Sequence, residues 1–348
     1  MFNMQLLFGV VNIIEEIQID NNVYPILLRL LRNKTGLNFQ YYRRNFIEGR
    51  IKARMIRAKC KTLQAYYNHL FSDDNEFRKF LDAFNINYTF FFRDWEVYDI
   101  FQRIFLRSLK YRREALLGNI KPKPIQLAQF RTKENYLKNL QKKRKINQNT
   151  INSPFFNYLK RTSVYNKIQS SRSSFNKINI WSCACASGEE PYTIAMILNN
   201  LKKQIQRFPG YHITASDIDN DTIIKAITGV YEEYSMKEIT SYYKTKYFTK
   251  ITQNSKFAYL ISNEIISDVE FINEDITKGH KKLEKYDIIF CRYLLIYFNR
   301  ENRNLFAKII ENRLNPGGIL ILGKTETLFN KFSKLKLLDS ANQIYLKK

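Results

Sequence analysis

The sequence predicts an α/β chain: a Rossmann-like, mostly parallel sheet with helices on both faces in the second half, interrupted by a small antiparallel β excursion, and a separate N-terminal all-helical domain. Three observations carry this. Short apolar runs at 178–183, 211–215, 269–272, 286–291, 318–322 and 343–346 alternate with helical stretches at 191–202, 221–227 and 301–314. The alternation fails between 231 and 268, where Tyr247-Phe-Thr and Phe257-Ala-Tyr-Leu are separated by polar turns. From Thr35 to Phe84 the apolar residues show helical periodicity, recurring at three- and four-residue steps.

In chain order, the helical domain spans 25–85. Tyr42, Phe46, Ile47, Ile51, Met55 and Ile56 form an apolar stripe, with Arg43, Arg44, Arg50, Lys52, Arg54 and Arg57 between them. Residues 63–70 and 75–84 read as two further helices, the second opened by Ser72-Asp-Asp as cap material. A segment at 86–109 follows, helical from Trp95 to Leu109. Residues 110–177 read as a basic, low-complexity insertion or linker with a short helix near Tyr136, because Lys, Asn, Gln and Ser dominate and no period is sustained. The α/β domain occupies 178–348, with the β subdomain at about 231–268. Asn315-Pro-Gly-Gly is expected to turn the chain from a helix into a strand.

The formal charge is +25, from 57 Lys and Arg against 32 Asp and Glu. Residues 121–178 alone hold 14 basic side chains and one acid, Glu134. Such a balance suggests an anionic partner, although a basic run is often only a solvated surface. Cys60, Cys183, Cys185 and Cys291 are too scattered for a disulfide framework, and with three histidines no metal-ligand spacing occurs, so no metal is expected. Residues 1–19 carry Glu15 and Glu16 without a basic start, a poor signal peptide, and no apolar run approaches a membrane span. A soluble, cytoplasmic protein is expected.

The run Ile180-Trp-Ser-Cys-Ala-Cys-Ala-Ser-Gly-Glu-Glu-Pro-Tyr192 carries the chemistry. It reads as a strand, a small-residue turn and a helix, and Ser216-Asp-Ile-Asp219 follows as a second strand ending in carboxylates, the arrangement of an adenosine-ribose crevice. A pyrophosphate would need bare backbone N–H groups at the helix start, where Glu189 and Glu190 stand. Those carboxylates suit a ligand with ribose hydroxyls and a cationic centre, and S-adenosylmethionine (SAM) fits. Asp217 can accept from both ribose hydroxyls, whereas Asp219 is placed to cap the next helix.

These residues resemble the CheR family of chemotaxis receptor methyltransferases. The resemblance rests on Thr35-Gly36 with the Arg-rich helix, Asn87-Tyr-Thr-Phe-Phe-Phe-Arg93-Asp94, Trp181 to Tyr192, Ala215 to Asp219, Gly229-Val-Tyr231, Ile289-Phe-Cys-Arg292, Ile296-Tyr-Phe298, Asn315-Pro-Gly-Gly and Gly323-Lys-Thr-Glu326. It implies a seven-stranded, mostly parallel sheet and transfer of a methyl group from SAM to receptor glutamates, giving methyl esters and S-adenosylhomocysteine. It also implies cofactor contacts at Asn87, Thr89, Arg93, Glu190, Asp217, Asp275, Ile276, Tyr293 and Leu294. Departures are Tyr293 where the family usually has Asn, Asp275 where Asn is frequent, and Ser187 where Thr is common.

An ionised glutamate needs no general base, so alignment and removal of water are the catalytic demands. Arg93 is expected to orient that carboxylate, since a guanidinium fork fixes a planar anion, and Tyr297 to line the transfer face. The basic helix 43–57 would steer toward acidic receptor methylation helices. In the family the β subdomain docks a receptor C-terminal peptide in some members. A monomer, recruited to membrane receptors and without a stable nucleic-acid partner, is expected. The rival readings are a catalytically weak or silent CheR-like binding module, and a methyltransferase acting on another acidic protein or on nucleic acid. No Asn/Asp-Pro-Pro-aromatic motif for a flipped base is present.

Overall fold

A computed structural model describes residues 17–35, 37–84, 89–117, 153–170, 177–205, 208–253, 256–278, 284–328 and 334–348. The chain divides into two compact units, residues 1–87 with 294–305, and residues 88–293 with 306–348. The helix expected near Tyr136 lies outside the described residues.

The first unit is built from α1 (Val23–Thr35), α2 (Arg44–Arg57), α3 (Leu63–Ser72) and α4 (Asp74–Phe84). Its helix starts are set by short polar side chains: Thr62 Oγ1 accepts from Ala65 N (3.2 Å) and Asp73 Oδ1 from Asn75 N (2.8 Å). Leu27, Leu31, Ile47, Ile51, Met55, Tyr66, Leu70 and Phe80 fill the core. Arg54, read as one of the polar-face arginines, is instead 8% exposed. Its Nε donates to Glu76 Oε1 (3.0 Å), and Tyr66 Oη donates to the same oxygen (3.1 Å). The pairing reconciles a cation with a core position, because a buried charge is tolerated when it is paired and hydrogen-bonded. The segment Leu294–Leu305 joins this unit through Arg43 N to Tyr297 O (2.8 Å) and Asn299 N to Tyr41 O (3.0 Å).

The second unit opens with α5 (Trp95–Leu117), eight residues longer than the period-based reading, which ended at Leu109. A 3-10 turn (Pro154–Arg161) and α6 (Ser163–Ser170) follow. These lie within the stretch read as a linker, yet Phe155, Leu159, Val164 and Ile168 are buried in the sheet unit's core. Their spacing crosses a 3-10 turn and a helix, so no single period runs through them. Then come β1 (Ile178–Cys183), α7 (Glu189–Gln204), β2 (Tyr211–Asp217), α8 (Asn220–Thr228), β3 (Val230–Glu232), α9 (Ser241–Tyr247), β4 (Phe248–Gln253), β5 (Lys256–Ile261), α10 (Asn263–Ile266), β6 (Val269–Asn273), β7 (Tyr286–Cys291), α11 (Arg300–Arg313), β8 (Leu314–Leu322), β9 (Leu335–Asp339) and β10 (Ile344–Lys347).

Seven strands form one sheet in the order β6-β2-β1-β7-β8-β10-β9. Its pairs are parallel except those β10 makes with β8 and β9. The antiparallel excursion is the three-stranded sheet β3-β5-β4. β1 and β7 are mainly apolar and nearly wholly buried, as parallel central strands must be, with Asn179, Ser182 and Asp287 as their polar members. Asn315-Pro-Gly-Gly is not a turn ahead of β8 but a bulge inside it: Tyr286 pairs with Leu314, and Ile288 with Ile319. Gly317, at φ +70°, lets this bulge meet the chain at 161–163, for an added Cβ would lie 2.5 Å from Arg161 O.

Asp287 of β7, 0% exposed, holds these parts together. It accepts from Lys167 Nζ (2.7 Å), Asn179 N (2.9 Å) and Asn315 Nδ2 (3.0 Å), joining α6, β1 and the bulge. Asp287→Ala strands three donors and should destabilise the chain by about 3 kcal/mol. Lys167→Met, which leaves the buried carboxylate its Asn179 and Asn315 donors, should cost less, about 2 kcal/mol. Urea unfolding followed by tryptophan fluorescence measures both, and equal effects would contradict the assignment.

Candidate active site

The turn from β1 into α7 is made of left-handed residues with minimal side chains: Ala184 (φ 57°), Ala186 (φ 48°) and Gly188 (φ 93°). Gly188 is dictated by space as well, since a Cβ there would lie 2.9 Å from Ala226 Cβ. Tyr231 Oη donates to Ser187 O (2.8 Å) and clamps the turn from the small sheet. Asp217 ends β2 beside it. Its Oδ2 accepts from Ala186 N (2.8 Å) and its Oδ1 from Asp219 N (3.0 Å). Each oxygen therefore has its direction fixed by a backbone N–H while keeping further acceptor capacity. Burial pushes the Asp217 carboxyl up, and those N–H groups pull it part of the way back. Asp219 caps α8, its Oδ1 accepting from Asp221 N (3.0 Å).

The two glutamates at the start of α7 are both engaged. Glu189 accepts from Ser187 Oγ (2.7 Å) and Ser235 Oγ (3.0 Å). Glu190 accepts from Ser182 Oγ (2.8 Å) and from Arg292 Nη1 (3.3 Å). Burial raises both carboxyls, and for Glu190 the Arg292 charge opposes the rise. A helix start occupied by two buried carboxyls is unsuited to phosphate.

Arg292 follows β7 and is 7% exposed. It pairs with Asp94 and Glu190, donates from Nη2 to Arg93 O (3.0 Å), and bonds Tyr98 Oη (3.2 Å). Burial disfavours its charge, but Tyr98, Glu190 and Asp94 outweigh that and hold its pKa above the ordinary arginine value. Tyr293, at φ 61°, lays its ring 3.5 Å from the Arg93 guanidinium, and its hydroxyl donates to Asp94. Its backbone N–H and that of Gly323 both donate to Glu326 Oε2, each at 2.7 Å.

Of the residues singled out in sequence, Arg93, Glu190 and Tyr293 thus lie in one network, and Asp217 ends the neighbouring strand. Asp275 sits next to Glu274, whose N–H bonds Asp217 O (2.9 Å). Its Oδ1 accepts from Thr277 N (3.0 Å) and Thr277 Oγ1 (2.6 Å), a local turn at the start of the 3-10 helix Ile276–Lys278. Ile276 is buried and Thr89 half-buried. Asn87 lies outside the described residues. Leu294 and Tyr297 belong to the first unit, where the Tyr297 ring packs 4.9 Å from that of Phe46. Sequence reading assigned no role to Asp94, Arg292 or Glu326. All three stood inside quoted motifs, but their long-range pairing partners are not signalled by any local spacing.

The geometry fits SAM. The carboxyl ends of β1, β2, β6 and β7 meet where the strand order reverses about β1, the place where open α/β sheets bind ligands. Asp217 is a fixed acceptor pair for a diol, and the adjoining turn has no side chain beyond Cβ at Ala184, Ala186 or Gly188. Arg292 Nε is a buried donor without an acceptor among the described residues, as expected where a ligand oxygen completes the bonding. Among the described residues no His, Cys, Asp or Glu cluster suited to a metal ion occurs, and no helix is long and apolar enough to cross a membrane.

Comparison with known proteins agrees. The CheR methyltransferase all-alpha domain matches residues 24–84, and the CheR methyltransferase SAM-binding domain matches residues 147–344, a span that includes the folded part of the expected linker. Chemotaxis protein methyltransferase 2 of Vibrio cholerae is 26% identical over 300 residues, covering 85% of this chain and 82% of its own. The chemotaxis protein methyltransferase of Borreliella burgdorferi is 25% identical over 306 residues, 87% of each chain. That of Vibrio parahaemolyticus reaches 32% over a shorter stretch of 161 residues, 46% of this chain and 58% of its own. With both domains matched, and the larger spanning more than half of its length, the chain belongs to the CheR methyltransferase family and is a SAM-dependent methyltransferase.

Proposed function

We propose that this chain transfers a methyl group from SAM to glutamate side-chain carboxylates of a chemoreceptor, leaving glutamate methyl esters and S-adenosylhomocysteine. The observation that carries the reading is Asp217, aimed by two backbone N–H groups at the end of β2 beside a turn with no phosphate cradle. The receptor as substrate class follows from the family and from relatives named chemotaxis protein methyltransferases. Asn87, Thr89, Arg93, Glu190, Asp217, Asp275, Ile276, Tyr293 and Leu294 are the proposed cofactor contacts.

When bound, SAM supplies a methyl carbon already activated by its sulfonium. The glutamate nucleophile is ionised at neutral pH, so this chain's residues have no proton to remove. Their task is to align the carboxylate and keep water from it. Arg93 is proposed to orient the carboxylate, and Tyr297 to line the transfer face. α2 is the proposed attraction for acidic methylation helices, with Arg54 withdrawn from that role because it is buried against Glu76. Arg44 keeps an exposed guanidinium although it also pairs with Glu48 (2.6 Å), and Arg57 is exposed at the helix end. The β3-β5-β4 sheet is the proposed dock for a receptor C-terminal peptide. The chain is proposed to act as a cytoplasmic monomer recruited to membrane receptors.

The decisive experiment incubates the chain with labelled SAM and either a glutamate-rich receptor fragment or RNA. Alkali-labile label should enter the fragment and not the RNA, and incorporation should drop as salt rises to physiological strength. Label on RNA, or none on the fragment, contradicts the reading. Arg93→Ala should cut turnover by about 100-fold while SAM affinity falls less than about tenfold. Equal losses, by kinetics and calorimetry, would make Arg93 a binding residue only.

A pH dependence follows from Asp217. SAM hydroxyls require the ionised carboxylate, whose pKa burial has raised, so protonation competes with binding as pH falls through that raised value. The apparent Kd should therefore rise as pH falls through that raised value, the slope approaching about tenfold per unit below it for a single coupled proton. Asp217→Asn should weaken binding by about 10–100-fold and flatten the profile. Calorimetric Kd values across the range test this, and an unchanged slope in the variant would count against it.

A further inference from the structure

Tyr293 stands where the family usually has an Asn. A carboxamide could not do what the Tyr293 side chain does here. Its ring lies 3.5 Å from Arg93 Cζ, and its hydroxyl reaches Asp94, the residue next to Arg93 in the chain. The backbone of Tyr293 is pinned at φ 61° with its N–H on the buried Glu326 carboxylate. On the other side, Phe92 (φ 59°) and Asp94 (φ 57°) bracket Arg93, and Arg292 Nη2 donates both to the Asp94 carboxylate and to Arg93 O. Ring and guanidinium are therefore each presented by a backbone that is held from a third place.

We propose that Tyr293 is a positioning residue for Arg93. Its ring face fixes the plane of the guanidinium, and the hydroxyl-to-Asp94 bond fixes the ring. A ring face suits that task. It attracts the cation through its quadrupole and leaves the N–H donors, which lie in the guanidinium plane, directed away from the ring toward an anion. A carboxylate in the same place would consume those donors and compete with the substrate. In this chain the aromatic side chain thus takes over, by orienting Arg93, a position the family uses for a carboxamide. The inference rests on the reading of Arg93 as the group that orients the substrate carboxylate.

The test uses the full chain with 15N-labelled arginine, the Arg93 Nε–Hε signal being identified by its loss in Arg93→Lys. That signal should be displaced by the ring current in the wild type and in Tyr293→Phe, and should move in Tyr293→Leu. In methyl transfer, Tyr293→Phe, which keeps the ring but loses the bond to Asp94, should lower kcat by less than Tyr293→Leu does. Tyr293→Leu should lose about tenfold in kcat and clearly less in SAM affinity, and Arg93→Ala should cost less in the Tyr293→Leu background than alone. Should Leu not fold at φ 61°, Tyr293→Asn supplies the ringless variant, because Asn accepts that backbone. An Arg93 signal unmoved by ring removal overturns the proposal, as do Phe and Leu variants with equal losses, or parallel losses of kcat and SAM affinity. A wild type that transfers no methyl group to the receptor fragment defeats the functional reading, while the Arg93 signal still decides the clamp.

Discussion

A buried guanidinium, Arg292, is the constraint on which the rest of the sheet unit's ligand-facing end depends. Removing such a cation from water costs several kcal/mol unless its donors are met. Here the donors of the two Nη nitrogens are met by Asp94 and Glu190, by Tyr98 Oη and by the Arg93 carbonyl, while Nε has no acceptor among the described residues. Those partners come from the segment ahead of α5, the first turn of α5 and the start of α7, while Arg292 itself follows β7. One charge thus ties together pieces of chain about 100 to 200 residues apart in sequence. It also acts on Glu190. Burial raises its carboxyl toward the neutral acid, and the adjacent cation opposes that rise without cancelling it.

Much of this molecule could be read from its sequence, and the parts that could not share a cause. β1 and β7 are mainly apolar because both faces are covered, and their boundaries were legible to the residue despite Asn179, Ser182 and Asp287 within them. β9 was missed: its Leu-Lys-Leu-Leu-Asp lies at the sheet edge, half exposed, without the uniform apolarity of a central strand. Residues 154–170 were read as linker because a basic composition concealed four core side chains whose spacing changes from a 3-10 turn to an α-helix. Arg54 was misplaced for a related reason. Helical period puts a residue on a face, but only a partner 22 residues away, Glu76, makes a buried face habitable for a cation.

The site divides along the same line. Asp217 was legible because a carboxylate closing the second strand of a βαβ unit has a stereotyped position, and the small residues of the turn announced a close backbone approach. The work of Asp94, Arg292 and Glu326 was not legible. Each acts through an atom of a residue remote in sequence, and two of the contacts are to backbone N–H groups that no side-chain pattern advertises. Tyr293 was noticed as a missing carboxamide. Its ring, hydroxyl and N–H turn out to have three separate partners.

Backbone strain locates the same place independently. Seven non-glycine residues among those described have positive φ, and five of them, Phe92, Asp94, Ala184, Ala186 and Tyr293, fall in the segments that surround Glu190 and Arg292. Left-handed backbone costs of order 1–3 kcal/mol per residue, most for bulky side chains such as Phe and Tyr. Such strain persists only where neighbouring bonds over-determine it, and here they do: Arg292 and Tyr293 hold Asp94, Asp217 holds the Ala186 N–H, and Glu326 holds that of Tyr293. The compensation is mutual. Loss of the Arg292 charge would leave Asp94 and Glu190 as part-buried carboxylates with weakened support, and the strained turns that present them would lose the reason to stay strained. The segments therefore stand or relax together, so a site assembled from distant parts of the chain behaves as one rigid body toward its ligand.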